Sequence, residues 1–214
     1  MKSLYTGLAV IGTALIVASC SNIERSRNLG NPAVSGVTLA QQVCSTCHGL
    51  DGNSISPQFP KLASQQKEYL INQIKNFRGH DRTDPPGPEF MWGLSRHLTD
   101  AQVDEMAAYF NSKPIQGHVK ISSAALEEGK SIFNQGLPKQ EVPPCMACHG
   151  PSAEGMSSFP QLAGQHQEYL LTQMLVFQQT DFRPNTPMSQ VTHKLTLEQM
   201  KSVANYLAAM PITP

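Results

Sequence analysis

The apolar positions along the chain recur at helical spacing, in blocks separated by proline-rich turns. Tyr69, Leu70, Ile74 and Phe77 line one helical face, with Ser64 placed to cap the start of that helix. Val103, Met106, Ala107 and Phe110 line another, opened by Thr99 and Gln102 at capping-box spacing. Thr196 with Gln199 repeats that opening, and Thr38 with Gln41 offers one ahead of Cys44. A further helix is predicted around 124–135. The loops DPPGPEF (84–90) and FRPNTP (182–187) break the pattern. No run alternates like a strand, so the expected fold class is all-α.

The same blocks come twice and in the same order. CSTCHG at 44–49 meets CMACHG at 145–150. FPKLASQQKEYLINQIKNF (59–77) meets FPQLAGQHQEYLLTQMLVF (159–177), and MWGLSRHLTDAQVDEMAAYF (91–110) meets MSQVTHKLTLEQMKSVANYL (188–207). Such a repeat means two tandem copies of one domain, expected over 37–113 and 114–214. Pro114 and Gly117 suit a linker between them.

The first residues follow another pattern. Lys2 precedes an apolar run from Leu8 to Ala18, too short to span a bilayer comfortably, and small residues follow. This reads as an export signal over 1–19. VASC resembles a bacterial lipobox, which makes Cys20 the lipidated first residue of the mature chain. The polar stretch 20–36 then reads as a flexible tether. Sixteen basic and sixteen acidic residues argue against a nucleic-acid partner. At 7% aromatic residues, two domains would have thin cores unless a large apolar group fills each.

Five cysteines less Cys20 leave two Cys-x-x-Cys-His motifs. Cysteines so spaced lie nearly one helical turn apart, so both sulfurs reach one haem edge, and the next residue brings an imidazole under the iron. Zinc pairs would be closer together in sequence. A thioredoxin-like pair needs a βαβ context. A disulfide within each pair leaves both histidines unexplained. The expected cofactors are two covalently bound haem c groups, on Cys44 and Cys47 and on Cys145 and Cys148, with His48 and His149 as axial ligands.

The internal alignment sorts the nine methionines for a second axial ligand. Met106, Met174 and Met200 align with Val203, Ile74 and Val103, so they read as core. Met146 lies inside a CxxC spacer. Met91 and Met188 match each other, each after a proline-rich loop and ahead of Leu98 or Leu195, and a loop methionine can swing over a haem face. His80, His97, His118, His166 and His193 read as surface or loop residues. Arg78, Arg82 and Arg183 could pair with haem propionates or be solvated loop residues. Tyr69 and Tyr169 could contact haem or simply pack.

The two CxxCH motifs, the repeated FP-x-L-A-x-Q…YL-x-x-Q and the paired M-x-x-x-x-x-x-L-[ST] segments resemble the dihaem cytochromes c of the cytochrome c4 type, across roughly 38–210. The resemblance implies two class I cytochrome c domains and His/Met ligation: His48 with Met91, His149 with Met188. It implies a carrier of single electrons between redox proteins of a respiratory chain, a terminal oxidase or a dehydrogenase among them. The lipobox departs from many members of that family. It adds a lipid anchor on the periplasmic side, at the inner or the outer membrane. Extra residues before Cys145 imply that the first helix of the second copy packs differently. The alternatives are a cytochrome subunit of a periplasmic dehydrogenase and a dihaem peroxidase-type enzyme.

Overall fold

A computed structural model describes residues 29–85, 87–117, 121–122, 126–179, 182–183 and 186–210. The expected signal peptide, Cys20 and the tether up to residue 28 lie outside the described residues, as does His118. The first copy begins with α1 (Gly36–Leu39), which widens into a π-type turn over Ala40–Cys44 and continues as α2 (Ser45–His48). Such turns are rare and are found frequently at functional sites. Then come α3 (Lys67–Gly79), α4 (Gly87–Ser95) and α5 (Asp100–Asn111). The second copy holds α6 (Glu127–Gln135), α7 (Met146–His149), α8 (Gln167–Gln178), α9 (Pro187–Thr192) and α10 (Leu197–Ala209). Among the described residues, isolated bridges join Leu137 to Val142 and Met156 to Phe159, and there is no strand. No described helix is long and apolar enough to cross a membrane.

Thr99 and Thr196 form capping boxes with Gln102 and Gln199, as the spacing predicts. Two other expected caps are corrected. Ser35, not Thr38, caps α1: the Thr38 amide donates to the Ser35 hydroxyl. Ser64 is left-handed at φ 58, and its amide donates to the Phe110 carbonyl, so α3 starts after Gln66. Gly164 makes the same bond to Leu207 in the second copy, so this turn is dictated by packing on the last helix rather than by capping.

Each copy has its own core. Leu39, Leu70, Val103, Met106 and Phe110 pack in the first. Ile132, Phe133, Leu170, Met174, Met200, Val203 and Leu207 pack in the second. Each such burial contributes about 1.5–3 kcal/mol. The methionines read as core are core: Met106, Met174 and Met200 are 2%, 8% and 1% exposed.

The tether expected over 20–36 does not hold for its described part, residues 29–36. From Leu29 onward the chain is docked on the first copy: Leu29 and Val34 pack against its core, and Gln102 Nε2 donates to the carbonyls of Asn31 and Val34. The polar, glycine-containing composition hid these two apolar contacts.

α1 crosses α5, and α6 crosses α10, at glycines. A Cβ on Gly36 would stand 2.2 Å from the Gln102 carbonyl oxygen, and one on Gly129 2.0 Å from that of Ser202. In the repeat Ser202 matches Glu105, so α6 crosses about one turn farther along its partner than α1 does. The different packing expected of this helix is a shift of one turn. Gly129→Val is therefore expected to cost about 1–3 kcal/mol by overpacking, read as a lower denaturation midpoint. Gly93→Ala, with nothing within 4 Å of the added carbon, is the control and is expected to be neutral or stabilising.

Candidate functional site

The two Cys-x-x-Cys-His turns are near copies in space. In each, the histidine ends a short helix and the chain swings away at a glycine, Gly49 or Gly150, both at φ 81. His48 and His149 are buried, at 8% and 6% exposure. Their Nδ1 atoms lie 2.9 Å from the carbonyl oxygens of Pro60 and Pro160. A carbonyl only accepts, so each Nδ1 carries the proton and each Nε2 keeps a free lone pair. Burial lowers the pKa of both rings, more than the proline carbonyls raise it. Phe59 and Phe159 stand edge-on to the imidazoles, with centroids 6.1 and 6.2 Å away. The rings are thus neutral, oriented and ready to ligate a metal through Nε2.

Cys44, Cys47, Cys145 and Cys148 are free thiols, with no disulfide inside either pair. Among the described residues no three His, Cys, Asp or Glu side chains cluster to hold a metal ion. The donor set is one free imidazole nitrogen beside two unpaired thiols, twice over. That is what covalent haem attachment requires, and the residues fit the group.

Met91 and Met188 are half-buried. They do not sit in loops as expected. Met91 is in α4, and Met188 is in α9, where Pro187 opens the helix and Thr186 accepts from the Met188 amide at 3.3 Å. Proline at a first helical position starts a helix as readily as it marks a loop. His80 caps α3 and lies 4.9 Å from Trp92, ring to ring; His97 and His193 are exposed.

Between the copies lies a seam with approximate twofold symmetry. Lys61 N–H donates to Gln165 Oε1 and Gln165 Nε2 donates to the Lys61 carbonyl, both at 2.9 Å. The mirror pair is Gln161 N–H to Gln65 Oε1 at 2.7 Å and Gln65 Nε2 to the Gln161 carbonyl at 3.0 Å. Gln66 reaches the Glu154 carbonyl, and its counterpart His166 bonds Ser54, so His166 belongs to the seam rather than to the surface.

Farther along, Arg82 stacks over Phe77 at 4.5 Å and Arg183 over Phe177 at 4.4 Å. Each guanidinium donates to both Gln73 and Gln173. Arg82 is 6% exposed and grips Asp84 bidentately at 2.7 and 3.0 Å, with the Tyr169 hydroxyl 3.4 Å from one of its nitrogens. Arg78 instead pairs with Asp100 at the surface. Burial works against the Asp84 carboxylate, but Arg82 and Arg183 outweigh it and hold its pKa below the usual carboxylate value. The sequence offered Arg82 as a haem-propionate partner or a solvated loop residue, and it is instead bonded across the seam; His166 carried no local signal. Gln65 and Gln165, however, stand in register in both copies, as do Gln73 and Gln173.

Two helical units, each presenting a buried histidine and a free thiol pair, define a dihaem c-type protein. Residues 33–113 and 126–211 match the family described as Cytochrome c. Cytochrome c-552 of Acidithiobacillus ferridurans is 40% identical over 169 residues, which cover 78% of this chain and 73% of that one. The structure of cytochrome c4 from Acidithiobacillus ferrooxidans aligns at a TM-score of 0.72 and 40% identity, covering 78% of this chain and 98% of that one. A protein of Stutzerimonas stutzeri named thiosulfate dehydrogenase electron acceptor is 29% identical over 214 residues, 97% of this chain and 96% of that one. The chain belongs to the cytochrome c family. It is an electron carrier with two covalently bound haem c groups.

The Asp84 pKa has a consequence for stability. A carboxyl whose pKa is lower in the folded chain stabilises it above the unfolded value, about 3.9, and loses that contribution as pH falls through the folded value. Acidification below about pH 4 is therefore expected to weaken the seam. Asp84→Asn is expected to remove this part of the pH dependence and to lower the thermal midpoint at pH 7. Melting the haem-loaded protein and the variant across pH 2.5–7 tests both (this range brackets the carboxylate pKa).

Proposed function

We propose that this chain is a lipid-anchored dihaem carrier on the periplasmic side, with one haem in each of two domains spanning 37–113 and 114–214. In this reading Cys44 and Cys47 hold the first haem by thioether bonds, and Cys145 and Cys148 hold the second. His48 and Met91 ligate the first iron, His149 and Met188 the second. When bound, each haem supplies an iron that gains and loses one electron. The observation that carries the reading is the doubled His-to-proline hydrogen bond, at 2.9 Å in both copies, which leaves two Nε2 atoms free.

The ligand set argues for a carrier rather than an enzyme. His/Met ligation would raise the haem potential. Two protein ligands per iron leave no coordination position for a substrate. Ligands held on helices, with both histidines fixed by their proline carbonyls, would change little between oxidation states. Arg183, half-buried and bonded to glutamines, suits a haem carboxylate, because a guanidinium fork binds carboxylate bidentately, whereas the Arg82 fork is already taken by Asp84. The balanced net charge offers no strong steering of a partner. A relative named thiosulfate dehydrogenase electron acceptor supports a dehydrogenase as electron source. In this reading the sink is a terminal oxidase or another respiratory complex. That same relative supports a second reading, in which the chain is a resident cytochrome subunit of such a dehydrogenase; co-purification with a large partner is its signature.

The deciding experiment is a haem count with redox titration of the purified protein. Two one-electron centres at high potential are expected. Met91→Ala and Met188→Ala are each expected to change the low-spin spectrum and lower the potential of one centre only. A variant that leaves both centres unchanged removes that methionine from the ligand set. Peroxide turnover at the rate of a dedicated peroxidase would overturn the carrier reading.

The anchor has its own test. Cys20→Ala is expected to abolish labelling by radioactive palmitate and to release the chain from membranes into the soluble fraction. An unlabelled wild-type chain would overturn the lipoprotein reading.

A further inference from the structure

The proximal histidines and the seam share two peptide groups. The Pro60 carbonyl that accepts from His48 Nδ1 belongs to the same peptide as the Lys61 N–H that donates to Gln165 Oε1 at 2.9 Å. The Pro160 carbonyl that accepts from His149 Nδ1 belongs to the same peptide as the Gln161 N–H that donates to Gln65 Oε1 at 2.7 Å. Each histidine is therefore one peptide away from a glutamine of the opposite copy. Both glutamines are buried, at 5% and 6% exposure for Gln65 and Gln165. Their amide orientations are fixed from both ends, since each Nε2 donates to the carbonyl of the residue whose N–H its Oε1 accepts.

We propose that Gln165 and Gln65 are positioning residues that act across the seam. Each polarises the peptide that holds the other domain's proximal histidine, and so tunes the potential of the haem in the domain to which it does not belong. This rests on His48 and His149 being iron ligands. The peptide group is conjugated, so an acceptor on its N–H raises electron density on its own carbonyl oxygen. Hydrogen bonds in a chain strengthen one another in this way by perhaps ~10–30% each. A stronger carbonyl draws harder on the Nδ1 proton, and the imidazole becomes a more basic ligand. A more basic ligand favours ferric iron. Gln165 thus holds the first potential down, and Gln65 the second.

A glutamine that only glued the domains together would affect both centres alike. The crossed pattern is what separates the two roles. In the haem-loaded protein, the first domain's wave is identified as the one that Met91→His displaces. Gln165→Met is expected to raise that wave, lowering its oxidised-to-reduced ratio at fixed applied potential about three- to tenfold, where tenfold is ~59 mV for one electron. The second wave is expected to move much less. Gln65→Met is expected to do the reverse. Gln165→Glu keeps an acceptor for the Lys61 N–H, so it is expected to leave the first potential at or below the wild-type value. Equal shifts of both waves, a shift in the variant's own domain, or no shift overturns the proposal. Should the methionine variants fail to fold, a raised first potential in Gln165→Glu overturns it alone. If Met91→His displaces neither wave, the ligand assignment fails instead, and that outcome is distinct.

Discussion

The structure turns on one hydrogen bond made twice: a buried histidine Nδ1–H to the carbonyl of a proline, 2.9 Å in each copy. Without it the imidazole could rotate or change tautomer, and Nε2 would not be available in a fixed direction. The bond needs the proline turn held against the CxxCH turn. Leu62 and Ala63 accordingly donate their amides to the Gly52 carbonyl, and Leu162 and Ala163 donate theirs to that of Ala153. The last helix then closes each unit, because Phe110 and Leu207 accept from the residues just beyond those turns. Core packing and the histidine site are one arrangement, not a scaffold with a site added to it.

That arrangement also explains why the two units join where they do. The peptides that hold the histidines still have unpaired N–H groups on their far side. Buried backbone donors require partners, so each copy must find an acceptor outside itself or leave the group in water. The opposite copy's glutamine supplies it. Burying Arg82 follows a similar logic. Its charge is tolerated because Asp84, Gln73, Gln173 and the Phe77 face meet its donors and its plane together.

Much of this was readable in the chain, for physical reasons that differ by feature. The CxxCH turns, the capping boxes at Thr99 and Thr196 and the core methionines are local or periodic signals, and local signals survive in sequence. The docking of residues 29–35, the Ser35 cap and the helical placement of Met188 were misread, because a short polar segment or a proline admits more than one local outcome until its neighbours are known. The seam was invisible to periodicity, since its partners lie about a hundred positions apart, as with the Lys61–Gln165 pair. Yet one trace was present. Gln65 and Gln165, and Gln73 and Gln173, stay glutamine in both copies while neighbours such as Lys61 and Gln161 diverge. A polar side chain kept at a matched place in two copies of an apolar pattern has a reason to be kept, and here the reason is a partner in the other copy.

The divergence matters as much as the match. Two identical units joined by a true twofold axis would hold equal sites, and an electron would have no preferred side. This seam is only approximately symmetric. Lys61, whose counterpart is Gln161, sends its ammonium to the carbonyls of Gln116, Gly117 and Gly164, tying residues 116–117 and the second copy to the first. Asp84 follows Arg82 by two residues, whereas Asn185 holds that place after Arg183. Fixed charge is therefore unequal about a seam whose geometry is nearly equal. In a buried setting a difference of one charge acts more strongly than it would in water. The repeat builds two matched sites, and these few unmatched residues make them inequivalent.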